Sequence, residues 1–166
     1  MRHSMNAQEV HVSISQVKKG KPGELLKTTL GSCVGIAMFN VEDGLFALAH
    51  CLLPESYDSP STLGAKFVDQ AIESLMAILD VKSSMIPRMK VYIAGGANMM
   101  PSIAKIGQPH IGALNLEAAR KHLQLKGFKF TELDVAGTCA RQMFLNCEVG
   151  EASVKRIQEI KEKSYE

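Results

Sequence analysis

The chain has 166 residues, of which 46% are hydrophobic and 22% are charged, as in a single globular domain. Its 19 basic and 17 acidic residues give a net charge of +2, and aromatic residues make up 5% with no tryptophan. This balance argues against nucleic acid and membrane surfaces as partners, since those need a basic excess or stacking aromatic side chains. No apolar run approaches the roughly 18 residues of a membrane span, so we expect a cytoplasmic protein.

Four cysteines raise the first chemical question. Cys33, Cys51, Cys139 and Cys147 form no C-x-x-C pair and have no histidine at zinc-site spacing, so we expect free thiols and no metal. Two interpretations stay open at this point. All four can be small buried apolar side chains, or three can be structural and one reactive.

The first half of the chain is rich in strand signals. Alternating apolar residues predict a half-buried strand over 9–15, and the polar residues 18–24 indicate a solvated turn. Residues 25–30, 34–39 and 45–52 are strand-length apolar segments, and the sequence VEDG between the last two is typical of a hairpin turn.

The second half adds helices and more strands. Helical spacing of apolar residues predicts a helix over 64–79, and Asn115 and Gly127 are placed to cap and end another over 116–126. Further strands are predicted at 90–96, 128–135, 141–147 and 152–157. Met99 and Met100, in a predicted loop, suit either the core or an adaptable contact with a partner helix.

This element order favours one α/β (α+β) domain with two main helices and seven or eight strands. Hairpins at both ends, with helices between them, argue against a doubly wound sheet. We expect the domain to span residues 9–157, with a disordered segment at 1–8 and a charged tail at 158–166.

The hairpin over 34–50 brings Cys33 and His50 together. A turn centred at Val41–Glu42, or one residue further on, gives paired residues an index sum of 83 to 85, so that Cys33 lies opposite His50 or within two residues of it. Directly opposed Cβ atoms are about 4.5–5.5 Å apart, whereas Cys51 would point to the other face.

A cysteine beside a histidine suits nucleophilic catalysis. An imidazolium favours the thiolate, which is the nucleophilic form of cysteine. Gly31 and Ser32 would let the backbone turn and direct N–H groups at an oxyanion, and Gly95, Gly96 and Asn98 could form a second wall. A purely structural Cys/His pair remains the alternative from spacing alone.

Several blocks of the sequence resemble one known family. "LGSCVGI", "LAHCLLP", "YIAGGANMM", "IGALNLEAARKHL" and the segment "LDVAGTCARQMFLNCEVGEASVKRI" look like the chemoreceptor glutamine deamidases (CheD), in the expected order and over residues 10–157. The resemblance implies a single-domain α/β sandwich with mixed, largely antiparallel sheets and two to three helices, monomeric and without a cofactor. Members convert selected glutamines of methyl-accepting chemotaxis receptors to glutamate, which tunes adaptation.

The resemblance also implies roles for individual residues. Cys33 would be the nucleophile that forms a thioester, and His50 its base and later its acid. The family orients this histidine with a threonine about six residues before the cysteine, where this chain has Lys27. Thr28 is therefore our choice for that role, with Thr29 as its neighbour. The sequence VAGTCAR also departs from the Gly-rich stretch that members usually have there.

Two other functions are weighed against the deamidase. Some family members bind a chemotaxis phosphatase that acts on the response regulator, so the chain could be a regulatory binding module with weak or no catalysis. An amidase or peptidase for small substrates is the third hypothesis. The resemblance favours the protein-glutamine deamidase, with the cytoplasmic helical domain of a chemoreceptor as its partner. Which glutamines are modified, and whether methyl esters are also cleaved, stays open.

Overall fold

The computed structural model describes residues 7–58, 62–103 and 107–157. The strands are β1 (Gln8–His11), β2 (Val17–Gly20), β3 (Glu24–Leu30), β4 (Val34–Asn40), β5 (Leu45–Cys51), β6 (Lys90–Gly95), β7 (Thr131–Val135), β8 (Arg141–Asn146) and β9 (Glu151–Arg156). The α-helices are α1 (Val68–Ile78) and α2 (Ile111–Lys126), with short 3₁₀ helices at Ser83–Arg88 and Pro101–Ile103. The tail at 158–166 and residues 1–6 of the expected disordered segment lie outside the described residues, and Gln8 begins β1.

The strands form two sheets that pack face to face. One sheet has five strands in the order β2-β5-β4-β6-β7, and the other has four in the order β1-β3-β8-β9. All neighbouring pairs are antiparallel except β6–β7 and β1–β3. Both helices cover the outer face of the five-stranded sheet, and the four-stranded sheet covers its other face. The expected α/β sandwich with mixed, largely antiparallel sheets is therefore confirmed.

The central strand β4 is covered on both faces, and all seven of its residues are buried. Val34 and Ile36 point to the helices, while Ala37 points to the four-stranded sheet. At Gly35 the two sheets approach closely, because a Cβ there would be 2.6 Å from the Met143 sulfur. Any side chain larger than hydrogen at position 35 would therefore clash with the four-stranded sheet.

The polar turn expected at 18–24 contains part of a strand instead. Lys18, Lys19 and Gly20 belong to β2, which pairs with β5 as the edge of the five-stranded sheet. The residues of β5 that pair with β2 are 26 to 32 positions away in sequence, so the local polarity of 18–24 gives no sign of this pairing. The strand expected over 9–15 is correspondingly shorter and ends at His11, because the chain turns at Ser15, whose φ is +68°.

The second helix begins earlier than its sequence suggests. It starts at Ile111 with His110 as N-cap, whose Nδ1 accepts from the Ala113 amide at 3.2 Å. Asn115, the expected cap, therefore lies inside α2 and is fully buried. The helix ends as predicted at Gly127, with φ +88°.

Candidate functional site

Cys33 lies on a short loop between β3 and β4, where the chain passes from the four-stranded sheet to the five-stranded one. We call residues 31–33 the cysteine loop. Cys33 is 8% exposed and belongs to the apolar layer between the sheets, together with Leu30 and Ala94. Cys51 lies on the opposite face, among residues that contact the helices.

His50 lies on β5 on the same face as Cys33. The hairpin pairs Gly35 with His50, an index sum of 85 at the upper end of the expected range. Cys33 is thus two residues along from the position opposite His50. Diagonal neighbours of this kind have Cα atoms about 7–8 Å apart, within reach of a long side chain. The hairpin therefore brings the thiol and the imidazole into one region of the inter-sheet layer.

Thr28 contacts the imidazole from the other sheet. Its Oγ1 lies 2.6 Å from His50 Nδ1 and also 2.6 Å from the Val12 carbonyl oxygen. Because the single hydroxyl hydrogen is donated to Val12, Oγ1 accepts from Nδ1–H. His50 Nε2 then carries the lone pair, and it is buried without a hydrogen-bond partner among the described residues. The contact fixes the tautomer and leaves the basic nitrogen free.

Strand alternation explains why Thr28 and not its neighbours makes this contact. In β3 the side chains of Leu26, Thr28 and Leu30 point inward and are buried. Lys27 points outward and pairs with Glu9, its Nζ 2.6 Å from a carboxylate oxygen. Thr29 is exposed. The inward face thus presents a single hydroxyl to His50.

Burial keeps both reactive side chains neutral. It lowers the pKa of His50 to about 4, with a further lowering from the charge that His11 can carry and an opposing effect of the Val12 carbonyl. Burial also raises the pKa of the Cys33 thiol. The expected imidazolium–thiolate pair is therefore disfavoured in the unliganded protein, because the layer between the sheets solvates neither charge.

The three carbonyl groups of the cysteine loop are all held by hydrogen bonds. Gly31 O accepts from Ala97 N at 3.0 Å, and Cys33 O accepts from Gly96 N at 2.9 Å. Between them, Ser32 O accepts from the side-chain amide of Asn115 at 3.0 Å. Within the described part of the chain, the backbone N–H groups of Ser32 and Cys33 form no backbone hydrogen bond. The loop thus keeps two donors available beside the thiol.

The residues expected to form a second wall lie against this loop. Gly95 has φ +99°, and a Cβ there would be 2.2 Å from Cys33 O, so only glycine fits. The amide of Gly96 is engaged by Cys33 O, and that of Asn98 donates to Gly137 O at 2.8 Å. The Gly96 amide therefore supports the cysteine loop and the Asn98 amide holds the loop before β8, so neither is free to donate to a bound group in this structure.

An open groove of about 410 Å³ borders the cysteine loop. Ser32 lines one side, and its other lining residues are Ala97, Asn98, Met99, Met100, Ile103, Gln108, Pro109, His110 and Ile111. Met99 and Met100 are 46% and 62% exposed, so they are not core residues.

Two residues that position the loop were missed in the sequence. The sequence predicts a helix cap at Asn115, and the one signal of its buried position is a polar residue among the apolar ones of the inner face of α2. Gly112 lets the first turn of α2 rest on the loop after β6, because a Cβ there would be 2.4 Å from Ala97 O. Among the described residues, no cluster of His, Cys, Asp and Glu could hold a metal ion, and no helix is long and apolar enough to cross a membrane.

The model of the family CheD, described as chemotactic sensory transduction, matches residues 52–156. A probable chemoreceptor glutamine deamidase, CheD 2 of Ruegeria sp. strain TM1040, is 34% identical over 90% of this chain and 92% of its own length. The chain belongs to the CheD family. The chemoreceptor glutamine deamidase CheD of Thermotoga maritima is 35% identical over 82% of this chain and 83% of its own.

The CheD family match extends over the site. The family model begins after His50, but the match to the Ruegeria relative leaves only a tenth of this chain uncovered and so takes in 28–50.

A solved Neisseria meningitidis protein of the family DUF152 superimposes with a TM-score of 0.46 at 11% identity, over 74% of this chain and 53% of its own.

The low pKa of His50 makes folding stability depend on pH. The folded protein keeps His50 neutral down to about pH 4, whereas the unfolded chain takes up the proton below its ordinary pKa of 6.5. This contribution is therefore complete above pH 6.5 and is lost as the pH falls to 4, by about 3 kcal/mol.

Urea unfolding of the wild type and His50→Gln at pH 7 and pH 4 measures this loss. Carboxylates titrate equally in both proteins, so the difference between them isolates the imidazole. We expect the wild type to lose about 3 kcal/mol more than the variant. Equal losses in the two proteins would contradict the buried neutral imidazole.

Proposed function

We propose that this protein is a cysteine-dependent deamidase (glutaminase) that hydrolyses the side-chain amide of glutamines in chemoreceptors. The observation that carries the proposal is the His50 imidazole, held by Thr28 with Nε2 free, on the same face as the Cys33 thiol. The substrate class comes from the relatives, whose names are chemoreceptor glutamine deamidases. A hydrolase of this kind needs no group beyond water and these side chains.

The first half of the reaction forms a thioester. As Cys33 Sγ attacks the carboxamide carbon, the thiol proton passes to His50 Nε2. The carbonyl oxygen becomes an oxyanion, and the amides of Ser32 and Cys33 are the donors closest in sequence to the attacking sulfur. The imidazolium then returns its proton to the amide nitrogen, which leaves as ammonia when the C–N bond breaks.

The second half releases glutamate. Water attacks the thioester carbon while His50 Nε2 accepts one of its protons. Collapse of the tetrahedral intermediate breaks the C–S bond, and the proton returns from His50 to the sulfur. The net change is the amide plus water giving a carboxylate and ammonium, with the thiol and the imidazole restored.

Neutral resting groups suit this sequence of proton transfers. A histidine whose pKa is near 4 is in its basic form at neutral pH. A preformed thiolate is then unnecessary, because proton transfer and attack occur together when the substrate carbonyl arrives. Thr28 supports the imidazolium once it forms, since Oγ1 accepts from Nδ1–H in both protonation states.

The partner in this proposal is the cytoplasmic helical domain of a methyl-accepting receptor. The groove beside Ser32 supports it, because exposed methionines adapt to an irregular helical surface next to the thiol. A reaction on receptor cytoplasmic domains places the protein in the cytoplasm. A phosphatase-binding module without catalysis is the competing function, and the next experiment separates the two.

Incubation with the cytoplasmic fragment of a chemoreceptor from the same organism tests the proposal. We expect discrete Gln-to-Glu conversions, each a gain of about 1 Da, mapped by peptide mass spectrometry. Cys33→Ala should reduce the rate by at least about 10³-fold, since it removes the nucleophile.

Cys147→Ala is the matched control, because Cys147 is a buried thiol of the same inter-sheet core away from the loop. It should convert the fragment at the wild-type rate. Absence of conversion by folded wild-type protein would favour the binding module, and equal rates in wild type and Cys33→Ala would exclude the cysteine mechanism.

Thr28→Val tests the orientation of the imidazole. The variant keeps the shape but removes the oxygen that accepts from Nδ1–H, so His50 can adopt the other tautomer. We expect kcat to fall about 10²-fold and Thr28→Ser to retain most of the activity. Thr29→Val makes the same change on the exposed face of β3 and should have no effect. A fully active Thr28→Val would remove the threonine from the mechanism.

A further inference from the structure

The strands β4 and β5 separate just before Cys33 and just after His50 and Cys51. The β4–β5 ladder ends at the pair Val34–Cys51. One residue beyond this pair, the two segments bond to other parts of the chain instead of to each other. Cys33 O accepts from Gly96 N, in the turn after β6, and Leu52 N donates to Ala65 O at 3.3 Å. No backbone hydrogen bond of the described residues joins the chain before Cys33 to the chain after Cys51 at this level.

The side chain of Asn115 fills this gap. Its Nδ2 donates to Ser32 O at 3.0 Å and to Leu52 O at 3.1 Å. One amide hydrogen thus binds the cysteine loop before β4, and the other binds the segment that follows β5. One carbonyl precedes Cys33 by one residue, and the other follows His50 by two. Asn115 therefore links the two segments at the place where the next backbone hydrogen bonds between β4 and β5 would otherwise form.

The helix holds this amide rigidly in place. Asn115 is 0% exposed and lies in the second turn of α2. The first turn rests on the backbone after β6, where Gly112 allows contact with Ala97 O and Gly96 O. Helix, cysteine loop and the turn after β6 thus form one packed unit around the thiol.

The position is not explained by stability alone. Asn115 Oδ1 is buried and has no hydrogen-bond partner among the described residues. An unpaired buried acceptor costs about 1–3 kcal/mol, which an apolar side chain of similar shape would avoid. Together with His50 Nε2, it is one of the two unpaired buried side-chain atoms that the described residues contain. His50 lies on the same face as Cys33, and Asn115 binds the carbonyl of the residue before Cys33.

We infer that Asn115 is a positioning residue for the deamidation reaction. Its hydrogen bonds to the Ser32 and Leu52 carbonyls fix the distance between the cysteine loop and the strand of His50. The backbone amides of Ser32 and Cys33 thereby stay directed at the reacting carbonyl. It contacts no reacting atom. The inference rests on the proposed function, but its effect on the thiol can be measured without it.

Asn115→Leu is the main test, because leucine has a similar shape and donates no hydrogen bond. We expect kcat for receptor-fragment deamidation to fall about 10²-fold with KM changed less than about twofold, since only the transition state needs the aligned amides. We also expect iodoacetamide to alkylate Cys33 several times faster, because the loop that shields the thiol is released.

Ser74→Ala is the matched control. Ser74 is 2% exposed on α1, and its Oγ accepts from Gly64 N at 2.9 Å, so the variant also loses a partly buried hydrogen bond between a helix side chain and the backbone. It should lower the melting temperature without changing kcat or alkylation. If both variants lower kcat alike, or if Asn115→Leu keeps wild-type kcat and alkylation, the inference is overturned.

Asn115→Asp keeps the test decisive if the leucine variant does not fold. A protonated carboxyl can donate to one of the two carbonyls, whereas the ionised form donates to neither. We expect its kcat, relative to wild type, to rise as the pH is lowered, and a ratio independent of pH would overturn the inference. The alkylation arm distinguishes failures: if the wild type deamidates nothing but Asn115→Leu still speeds alkylation, the proposed function fails and the positioning of Cys33 stands.

Discussion

The hydrogen bond between Thr28 and His50 joins the two sheets at the site. Thr28 belongs to β3 of the four-stranded sheet and His50 to β5 of the five-stranded sheet, and the bond of 2.6 Å crosses the layer between them. The Val12 carbonyl takes the hydroxyl hydrogen and so sets the direction of the bond. The packing of the two sheets therefore sets which imidazole nitrogen carries the hydrogen and leaves Nε2 as the basic one. Any change that separates the sheets should disturb the tautomer before it unfolds the chain.

The same packing sets the electrostatics and supports the nucleophile. Burial between the sheets keeps the imidazole and the thiol neutral, which makes the proton transfer between them part of the chemical step. The helix layer contributes from the opposite side of the five-stranded sheet, through Asn115. Each of the three layers thus supplies one component. The four-stranded sheet supplies the Thr28 hydroxyl, and the five-stranded sheet supplies His50 and the start of β4 next to Cys33. The helix layer supplies Asn115, which holds the cysteine loop. The site is accordingly a property of the whole sandwich rather than of one segment.

Local sequence was enough to predict the parts of the site that lie on one hairpin. Alternation and the VEDG turn predict the pairing of 34–39 with 45–50 to within two residues, because a short turn restricts the possible registers. That pairing places Cys33 and His50 on one face and Cys51 on the other, as the structure shows. The offset between Lys27 and Thr28 follows from the period of a strand, since only alternate side chains point inward.

Contacts between segments that are distant in sequence could not be predicted from local sequence patterns. Asn115 is 83 residues from Ser32, and its local sequence is equally consistent with a helix cap. The edge strand β2 exists because β5 offers it backbone partners, although lysines and glycine dominate its own sequence. Burial raises the pKa of the Cys33 thiol, and spacing along the sequence gives no sign of this effect, because the degree of burial is a tertiary property.

The state of His50 is the most direct test of this account. Nitrogen-15 NMR of the labelled protein, followed from pH 3 to pH 8 with Cys33→Ala as a control against thiol effects, reports both the tautomer and the pKa. We predict a neutral imidazole with hydrogen on Nδ1 throughout the neutral range and a pKa of about 4. Hydrogen on Nε2, or an imidazolium that persists to pH 7, would contradict it.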